Sequence, residues 1–503
     1  MTVELSLSSG AIRGSSRATA DGPVFSFGGV PYAAPPVGDL RFEAPEPVEA
    51  WTGVRDCTRP GPSAPQIRTT DEPVPGMTVA SISEDCLTAE IWTPALDGSR
   101  PVLVWIPGGR FQIGGAGLAT YDGSRLATEG DVVVVGLNYR LGAFGFLALE
   151  GTPTNVGLRD VLAALRWIRA EIGRFGGDPA RVVVMGESIG AGTIAHLLAV
   201  PGTDALIAGA IVQSGAPGAT LGLDTARQVS EALLVAAGVD SVAELPARCR
   251  DTARRAGRHR HRDAGHGRDD ALPSGRRRRP PPGRPARIVP PPDAGRRAAD
   301  HRYHQPRDGA LPVVGAGASR IDRRALPRRE AHRGPRRPAR RRCRDPGSRR
   351  GGWRSRRSHR RHRSPRTGDA HRRRPRHPRP PRLEVPLRLA HPGIGAAHAT
   401  DLPFTFGTLD VDRWRDYLGA GGASAAAADT LSERMRSAWT SFCHDLVPSS
   451  APIGAWPRHD TTRRAVIRLG VDVDVVDGLD DHRHRAWTGT APVDPDAAAG
   501  PVA

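Results

Sequence analysis

The chain lacks lysine altogether, so all 72 basic residues among its 503 are arginines. Cysteine is also scarce, and five cysteines in a chain of this length do not suggest a disulfide scaffold. No apolar run approaches the roughly 20 residues that a membrane-spanning helix needs. The first residues, MTVELSLSSGAIRG, show no basic start followed by an apolar run. We therefore expect no signal peptide, no membrane association and a cytoplasmic location.

Arginine is concentrated in one part of the chain. Residues 248–390 contain 46 arginines and 12 acidic residues, which gives this stretch a net charge of +34. The rest of the chain contains 26 arginines and 41 acidic residues, a net charge of −15. The net charge of +19 therefore describes neither part, and it favours polyanion binding only through the arginine-rich segment.

The residues before about position 247 have the patterns of a globular α/β protein. Residues 102–106 (VLVWI), 132–137 (VVVVGL) and 181–185 (RVVVM) are apolar, β-branched runs that predict buried strands. Residues 155–175 predict a helix between the last two of these strands, with apolar side chains on one face. That face consists of Leu158, Val161, Leu162, Leu165, Ile168 and Ile172. The alternation of strand and helix predicts a mostly parallel sheet covered by helices on both faces.

The sequence GESIGAG follows the RVVVM strand directly and leads into the helical pattern AGTIAHLLAV. The pattern G-x-S-x-G alone is weak, because many serines between glycines are ordinary loop residues. Between a strand and a helix it is typical of a nucleophile elbow, a sharp turn that exposes a serine at the N-terminus of the helix. Gly186 and Gly190 would permit that turn, and Ser188 is the predicted nucleophile.

Five long motifs stand out along the chain: FGGVPYAAPPVGDLRFEAPEP (27–47), SEDCLTAEIWTP (83–94), NYRLGAFGFL (138–147), FGGDPARVVVMGESIGAG (175–192) and GAAHATDLPFTFG (395–407). In these motifs and their order the chain resembles the type-B carboxylesterases, the α/β-hydrolase family that includes cholinesterases and bacterial para-nitrobenzyl esterases. The resemblance covers about residues 1–247 and resumes near residue 393. Farther on, AWTSFCHD and WPRHD (456–460) resemble the C-terminal helix and strand region of the family.

The resemblance implies a catalytic histidine just before D-L-P-F, which is His398 in this chain. A histidine packed near a helix end is the alternative explanation of this residue. As a neutral base, His398 would accept the Ser188 proton and later donate it to the leaving alcohol. The resemblance further implies a small-molecule carboxylic ester as substrate, and it implies no metal or organic cofactor.

The oxyanion hole would be formed by backbone N–H groups. By position in the family motifs, Gly109, Arg110 and Ile189 would donate these hydrogen bonds. The family usually has His-Gly-Gly-Gly-Phe after the VLVWI strand, whereas this chain has Pro-Gly-Gly-Arg-Phe at 107–111. Arginine still supplies an N–H group but lacks the backbone freedom of glycine, so we expect an altered hole.

Two cysteines also match a feature of the family. Cys57 and Cys86 resemble a pair that is disulfide-bonded in many secreted relatives. Because no signal peptide is evident, two free buried thiols explain these residues equally well. The sequence therefore leaves both a disulfide and two thiols open.

The triad lacks its acid. In the family this residue is a glutamate in a segment resembling G-T-N/T-x-D-E-x-x-x-F, more than a hundred residues after the serine. The corresponding part of this chain is the arginine-rich segment, and it contains no such motif. The strand and helices that carry the acid would be missing with it, so we expect the remaining sheet to expose an unpaired edge.

The arginine-rich segment has three explanations. A nucleic-acid-binding arm would use arginine against phosphates, but single-strand binding also needs stacking aromatic residues, and only Tyr303 and Trp353 are present. A disordered insert fits the scarcity of apolar residues. It does not explain why the expected strands disappear where the insert begins.

A one-base shift of the reading frame explains both observations. Out-of-frame translation of G/C-rich DNA yields Arg, Pro, Gly, Ala and His, and the absence of lysine indicates such DNA. If each codon takes the last two bases of one residue and the first base of the next, residues 297–311 are compatible with V-P-L-I-I-G-T-T-N-R-E-M-A-L-F. The glutamate then spans the codons of Arg307 and Asp308. In the same frame, residues 384–392 are compatible with R-Y-R-F-D-W-R-T-P, which resembles the stretch before the catalytic histidine.

We therefore expect an α/β-hydrolase fold in three segments. Residues 1–247 and 393–503 would form one carboxylesterase domain, and residues 248–392 would be a frameshifted, disordered Arg/Pro/His-rich segment. The expected function is serine carboxylic-ester hydrolysis, weak or absent in this exact chain because the acid is missing. Two alternatives remain: a non-catalytic α/β-hydrolase-like binding protein, and a polyanion-binding protein that uses the arginine-rich segment without recognising a specific nucleic acid.

Overall fold

The structure is a computed structural model. The residues it describes are 1–67, 75–215, 218, 220–245, 313–316, 382–384, 397–411, 413–459, 463–470 and 472–478. All of these belong to one compact unit. Apart from two short strands, the arginine-rich segment lies outside the described residues. The predictions of disorder over 248–392 and of a glutamate hidden at Arg307 and Asp308 therefore lie outside them as well.

The described residues form fifteen strands. They are β1 (Thr2–Ser6), β2 (Ala11–Thr19), β3 (Gly22–Pro31), β4 (Val54–Asp56), β5 (Thr88–Thr93), β6 (Arg100–Ile106), β7 (Val133–Leu137), β8 (Gly177–Glu187), β9 (Gly209–Gln213), β10 (Val313–Ala316), β11 (Arg382–Glu384), β12 (Ser449–Ser450), β13 (Gly454–Ala455), β14 (Ala465–Arg468) and β15 (Asp474–Asp477). The three strands predicted from apolar runs are confirmed as β6, β7 and β8.

Thirteen of these strands form one mixed sheet, in the order β1-β2-β3-β5-β7-β6-β8-β9-β10-β11-β14-β15, with β4 paired to β2. The strands from β7 to β14 in this order are parallel to their neighbours, and antiparallel pairs flank them on both sides. The strands β12 and β13 form a separate small antiparallel pair. The predicted mostly parallel central sheet is therefore confirmed.

Eight α-helices are described. They are α1 (Ser124–Gly130), α2 (Gly142–Phe146), α3 (Val156–Glu171), α4 (Ile189–Leu197), α5 (Leu223–Ala237), α6 (Leu402–Phe406), α7 (Trp414–Leu418) and α8 (Ala425–Asp445). Short 3-10 helices lie at Gly38–Leu40, Ala119–Tyr121, Ile172–Phe175, Thr203–Ala205, Val242–Glu244 and Gly422–Ser424. None of the helices within the described residues is long and apolar enough to cross a membrane.

Alternation along the central strands divides the core into two layers. In β6, Val102, Val104 and Ile106 belong to the core that includes α3 and α4. Leu103 and Trp105 belong to the opposite core, which includes α1, α6 and α8. Successive side chains of a strand point to opposite faces, so helices cover both faces of the sheet. The predicted apolar face of α3 packs into the first core, which extends to Ile172 just beyond the helix.

The sheet has no unpaired edge at β9, which corrects the expectation drawn from the sequence. Strand β10 pairs in parallel with β9, β11 pairs with β10, and β14 pairs with β11. Both inserted strands, Val313–Ala316 and Arg382–Glu384, come from the arginine-rich segment. The expectation was wrong because the parallel ladder requires only backbone N–H and C=O groups, which any short extended segment supplies.

Helix α5 presents an unusual surface. Its side chains Leu223, Val229, Leu233 and Val235 are exposed, while Ser230 is the residue it buries. Val229 and Leu233, four positions apart, share one face of the helix, whereas Leu223 and Val235 lie on other sides of it. Within the described part of the chain, no element covers these four side chains.

Candidate active site

Ser188 occupies a sharp turn between β8 and α4. Its backbone has φ 56° and ψ −123°, a conformation that is strained for a residue with a side chain. The turn is held by two backbone hydrogen bonds: Ser188 N–H donates to the Gln213 carbonyl oxygen (2.9 Å), and Gly192 N–H donates to the Ser188 carbonyl oxygen (3.0 Å). The serine therefore stands at the carboxyl end of a central strand and at the N-terminus of a nine-residue helix.

The two glycines predicted around Ser188 lie where side chains would collide. A Cβ atom on Gly190 would lie 2.1 Å from the Ile106 carbonyl oxygen at the end of β6. A Cβ atom on Gly186 would lie 2.7 Å from the Gly190 carbonyl carbon. The turn is therefore tight because β6, β8 and α4 approach each other with no room for a methyl group.

His398 lies against the serine hydroxyl although 210 positions separate the two residues. His398 Nε2 is 2.8 Å from Ser188 Oγ, which is hydrogen-bonding distance. Burial, and then the positive charge of Arg110, lower the pKa of His398. A neutral imidazole at pH 7 can accept the serine proton at Nε2, as a general base requires.

Two buried carboxyl groups lie beside this pair, and sequence reasoning did not identify either. Glu187 is 3% exposed, and its Oε1 atom is 3.1 Å from His398 Nε2. His398 Nε2 can form one hydrogen bond, and the nearer Ser188 Oγ forms it. Glu187 Oε1 therefore has no hydrogen-bond partner among the described residues. Burial, followed by the charge of Asp401, raises the pKa of Glu187 to about 9.

Asp401 is the second carboxyl group. Its Oδ2 atom accepts a hydrogen bond from Gln213 Nε2 (3.0 Å), which also donates to Thr405 Oγ1 (3.0 Å). Burial raises the pKa of Asp401 to about 6. Neither carboxyl group supplies the acid of a triad, because no carboxylate of the described residues hydrogen-bonds His398 Nδ1.

The loop after β6 carries the predicted oxyanion-hole residues. Gln112 N–H and Ile113 N–H both donate to the Gly109 carbonyl oxygen, at 2.9 and 3.0 Å. Arg110 and Phe111 between them both have φ 60°, the arrangement of a type I′ turn. Left-handed backbone costs about 1–2 kcal/mol per residue with a side chain, so this turn is strained at two positions.

This loop lies beside the nucleophile. A Cβ atom on Gly108 would lie 3.2 Å from Ser188 Cβ, which places the loop directly beside the nucleophile. Gly109 has φ 110°, and a Cβ atom there would lie 2.0 Å from the Ile113 carbonyl oxygen. Within the described residues, the N–H groups of Gly109, Arg110 and Ile189 donate no hydrogen bond. The assignment of an oxyanion hole to these N–H groups stays a prediction.

A glutamine that sequence reasoning missed holds the far end of this loop. Gln66 Nε2 donates to the Gly114 carbonyl oxygen (2.7 Å), and Gly114 N–H donates back to Gln66 Oε1 (2.8 Å). The same Nε2 also donates to the Ala64 carbonyl oxygen (3.1 Å). The Gln66 side-chain amide thus hydrogen-bonds both the N–H and the C=O group of Gly114, as a neighbouring strand would. No local sequence pattern could indicate this pairing, because 48 residues separate the two partners.

Cys57 and Cys86 are buried and not linked to each other in the structure. Burial raises the pKa of Cys57 to about 12, and it raises that of Cys86 as well. Thiols in this state are poor nucleophiles, because the thiolate is the reactive form. The structure therefore places two unreactive thiols at the positions where the sequence left a disulfide open.

The described residues contain no group of three or more His, Cys, Asp or Glu side chains that could hold a metal ion.

Comparison with known proteins supports the fold and the resemblance of the amino-terminal half. Residues 1–249 match the model of the carboxylesterase family. A solved PNB esterase superimposes with a TM-score of 0.66 at 23% identity, over 96% of this chain and 98% of that one. The predicted α/β-hydrolase fold is therefore confirmed, and the predicted resemblance to carboxylesterases is confirmed for the amino-terminal half.

The curated relatives match less than half of the chain. The chain is 43% identical over 235 residues to the para-nitrobenzyl esterase of Bacillus subtilis (strain 168), which is 45% of this chain and 47% of that protein. It is 49% identical over 194 residues to the phenmedipham hydrolase of Pseudarthrobacter oxydans, which is 38% of this chain and 39% of that protein. The chain thus aligns with less than half the length of either relative.

Proposed function

We propose that this protein is a serine carboxylic-ester hydrolase. The observation that carries the proposal is the 2.8 Å separation of His398 Nε2 and Ser188 Oγ at the turn between β8 and α4. The similarity of residues 1–249 to carboxylesterases supports it.

The reaction would proceed through an acyl-enzyme. His398 accepts the Ser188 proton at Nε2 while Oγ attacks the ester carbonyl carbon, and the N–H groups of Gly109, Arg110 and Ile189 stabilise the oxyanion. Imidazolium then protonates the leaving alcohol as the carbon–oxygen bond breaks. A water molecule, activated by the same imidazole, hydrolyses the acyl-enzyme and regenerates Ser188.

We also propose that hydrolysis is slow in this exact chain. His398 has no carboxylate partner at Nδ1 among the described residues, and loss of the acid from such a triad lowers turnover by about 10⁴. The lack of the family's acid motif in residues 248–392 supports the frameshift hypothesis, in which the missing glutamate is encoded one base out of register. Sequencing codons 245–395 tests it directly: a continuous carboxylesterase sequence in the shifted frame is expected, and its absence would refute the hypothesis.

The test of esterase function is active-site labelling combined with turnover. A neutral fluorophosphonate probe should label the full-length chain slowly at Ser188, and para-nitrophenyl pentanoate should be hydrolysed at a correspondingly low rate. The variants Ser188→Ala and His398→Ala should abolish both signals. The matched control is His444→Ala, which removes an exposed histidine that hydrogen-bonds the Gly130 carbonyl oxygen far along the chain from the site.

Two outcomes would contradict parts of this proposal. If labelling persists in Ser188→Ala, the nucleophile lies elsewhere and the esterase assignment to this site fails. If the unmodified chain is labelled rapidly and stoichiometrically, the proposed impairment is wrong and another group supports His398.

A further inference from the structure

Arg110 lies at the corner of the turn beside the nucleophile. The flanking backbone is fixed on both sides: Gly109 accepts two hydrogen bonds from within the loop, and the Phe111 carbonyl oxygen accepts one from Gly142 N–H (2.6 Å). The Phe111 ring packs on Phe146, with ring centroids 4.2 Å apart. The turn therefore holds the arginine in left-handed backbone at a place where glycine would avoid the strain.

Strained residues that a fold retains are often functional, and the functional group of Arg110 is its side chain. The Arg110 side chain is exposed, and it forms no ion pair with any carboxylate of the described residues. Gly108, two positions before it, lies beside the nucleophile, since a Cβ atom there would be 3.2 Å from Ser188 Cβ. With the proposed role of its N–H group in the oxyanion hole, Arg110 begins beside the ester carbonyl, and its guanidinium can reach the substrate.

No carboxylate of the described residues forms an ion pair with this cation. Burial, followed by the charge of Asp401, raises the pKa of Glu187, the carboxyl group nearest the Ser188–His398 pair. The charge of Arg110 reaches the pair, since it contributes to the lowered pKa of His398. Both carboxyl groups are buried, and Asp401 accepts a hydrogen bond from Gln213 Nε2. Of these three groups Arg110 is the exposed one, so the charge that an incoming substrate meets there is positive.

We propose that Arg110 is a specificity-determining residue that binds a carboxylate of the substrate, so that the preferred esters are anionic. This inference rests on the proposed esterase function. Guanidinium binds carboxylate through two parallel N–H···O bonds, a geometry that lysine cannot reproduce. The carboxylate could lie on the acyl portion, as in half-esters of dicarboxylic acids, or on the alcohol portion. The chemistry is the same in both cases, and the assay separates them.

The experiment compares matched anionic and neutral esters in the full-length chain. The acyl pair is mono-para-nitrophenyl glutarate and para-nitrophenyl pentanoate, and the alcohol pair is para-acetoxybenzoate and its methyl ester. The measured quantity is the ratio of kcat/KM for the anionic and the neutral ester of each pair. We expect that ratio to favour the anionic ester in one pair, and to fall about tenfold in Arg110→Gln, since a hydrogen bond between charged groups is lost.

Two further variants separate charge from backbone strain. Arg110→Lys should retain part of the preference because it keeps the charge, and Arg110→Gly should lose it although it relieves the turn. Arg166→Gln is the matched control, since Arg166 is exposed on α3 and forms no ion pair with a described residue. The KM for the anionic ester should also rise with ionic strength, because an exposed cation is screened.

The outcomes distinguish this inference from the proposed function. An equal anionic-to-neutral ratio in the wild type and in Arg110→Gln, for both pairs, would overturn the inference while leaving the esterase function intact. If no ester is hydrolysed and Ser188 is not labelled, the proposed function fails, and the role of Arg110 is tested by the affinity for monomethyl glutarate. Ser188→Ala should then bind monomethyl glutarate measurably more tightly than the double variant Ser188→Ala with Arg110→Gln. Equal affinities would overturn the inference.

Discussion

Replacing Glu187 by glutamine should flatten the dependence of stability on pH. Burial and the charge of Asp401 raise the pKa of this carboxyl group from 4.5 to about 9. The folded state therefore binds the proton more tightly than the unfolded state. The stabilisation is complete below about pH 4.5 and is lost as the pH rises through about 9.

The size of the effect follows from the shift. One pKa unit corresponds to about 1.4 kcal/mol, so the full shift sets an upper limit of about 6 kcal/mol over that window. Real buried sites relax and admit water, so we expect about a third of this limit, or ~2 kcal/mol. Glutamine has nearly the same shape and carries no charge, so the variant should lose the share of Glu187 and retain the dependence that other buried acids contribute, among them Asp401 near pH 6 and Glu90 near pH 7.

The measurement is the free energy of unfolding in urea, followed by tryptophan fluorescence at intervals from pH 5 to pH 9. The wild type should lose stability steadily relative to Glu187→Gln, with the largest difference at pH 9. Glu4→Gln is the control, because Glu4 is exposed and its ion pair with Arg13 lies at the surface. Parallel curves for the wild type and Glu187→Gln would show that Glu187 is ionised in the folded protein, and would refute the reasoning.

Three further predictions concern the turn, the loop and a second buried acid. Gly190→Ala should lower the urea midpoint and abolish probe labelling, because its Cβ atom would lie 2.1 Å from a carbonyl oxygen of β6; Gly173→Ala, whose Cβ atom meets nothing within 4 Å, should change neither. Gln66→Ala should speed amide exchange at Gly114 and slow labelling about tenfold, since both hydrogen bonds to Gly114 are lost, and unchanged exchange would contradict that. Burial raises the pKa of Glu90 to about 7, so the stabilisation from its proton is lost as the pH rises through 7. The thermal midpoint should consequently fall less between pH 5.5 and pH 8.5 in Glu90→Gln than in the wild type, and equal falls would contradict this.

Local patterns in the sequence predicted the fold well around the nucleophile. The strands β6, β7 and β8 and the helix α3 were evident from apolar periodicity, because each buries one or both faces in the core. The glycines around Ser188 predicted a tight turn, and the structure shows the close contacts behind it. These features depend on residues within a few positions of each other.

Contacts between distant segments could not be predicted in the same way. Glu187 is adjacent to the predicted nucleophile, yet its raised pKa depends on burial and on Asp401, more than 200 positions away. The pairing of Gln66 with Gly114 depends on two loops that meet only in the folded chain. The strands β10 and β11 could not be predicted, because each is only three or four residues long and lies in an arginine-rich segment without strand periodicity. They are defined by their backbone hydrogen bonds to neighbouring strands.

The exposed side chains of α5 determine how the purified protein should behave in solution. Leu223, Val229, Leu233 and Val235 offer an apolar surface to any molecule that can cover it. A second copy of the chain is the most abundant such molecule in a concentrated sample, so light scattering should rise with protein concentration. Substituting these four residues by polar ones should keep the sample monodisperse without touching the site around Ser188. Solubility and catalysis can therefore be improved separately in this chain.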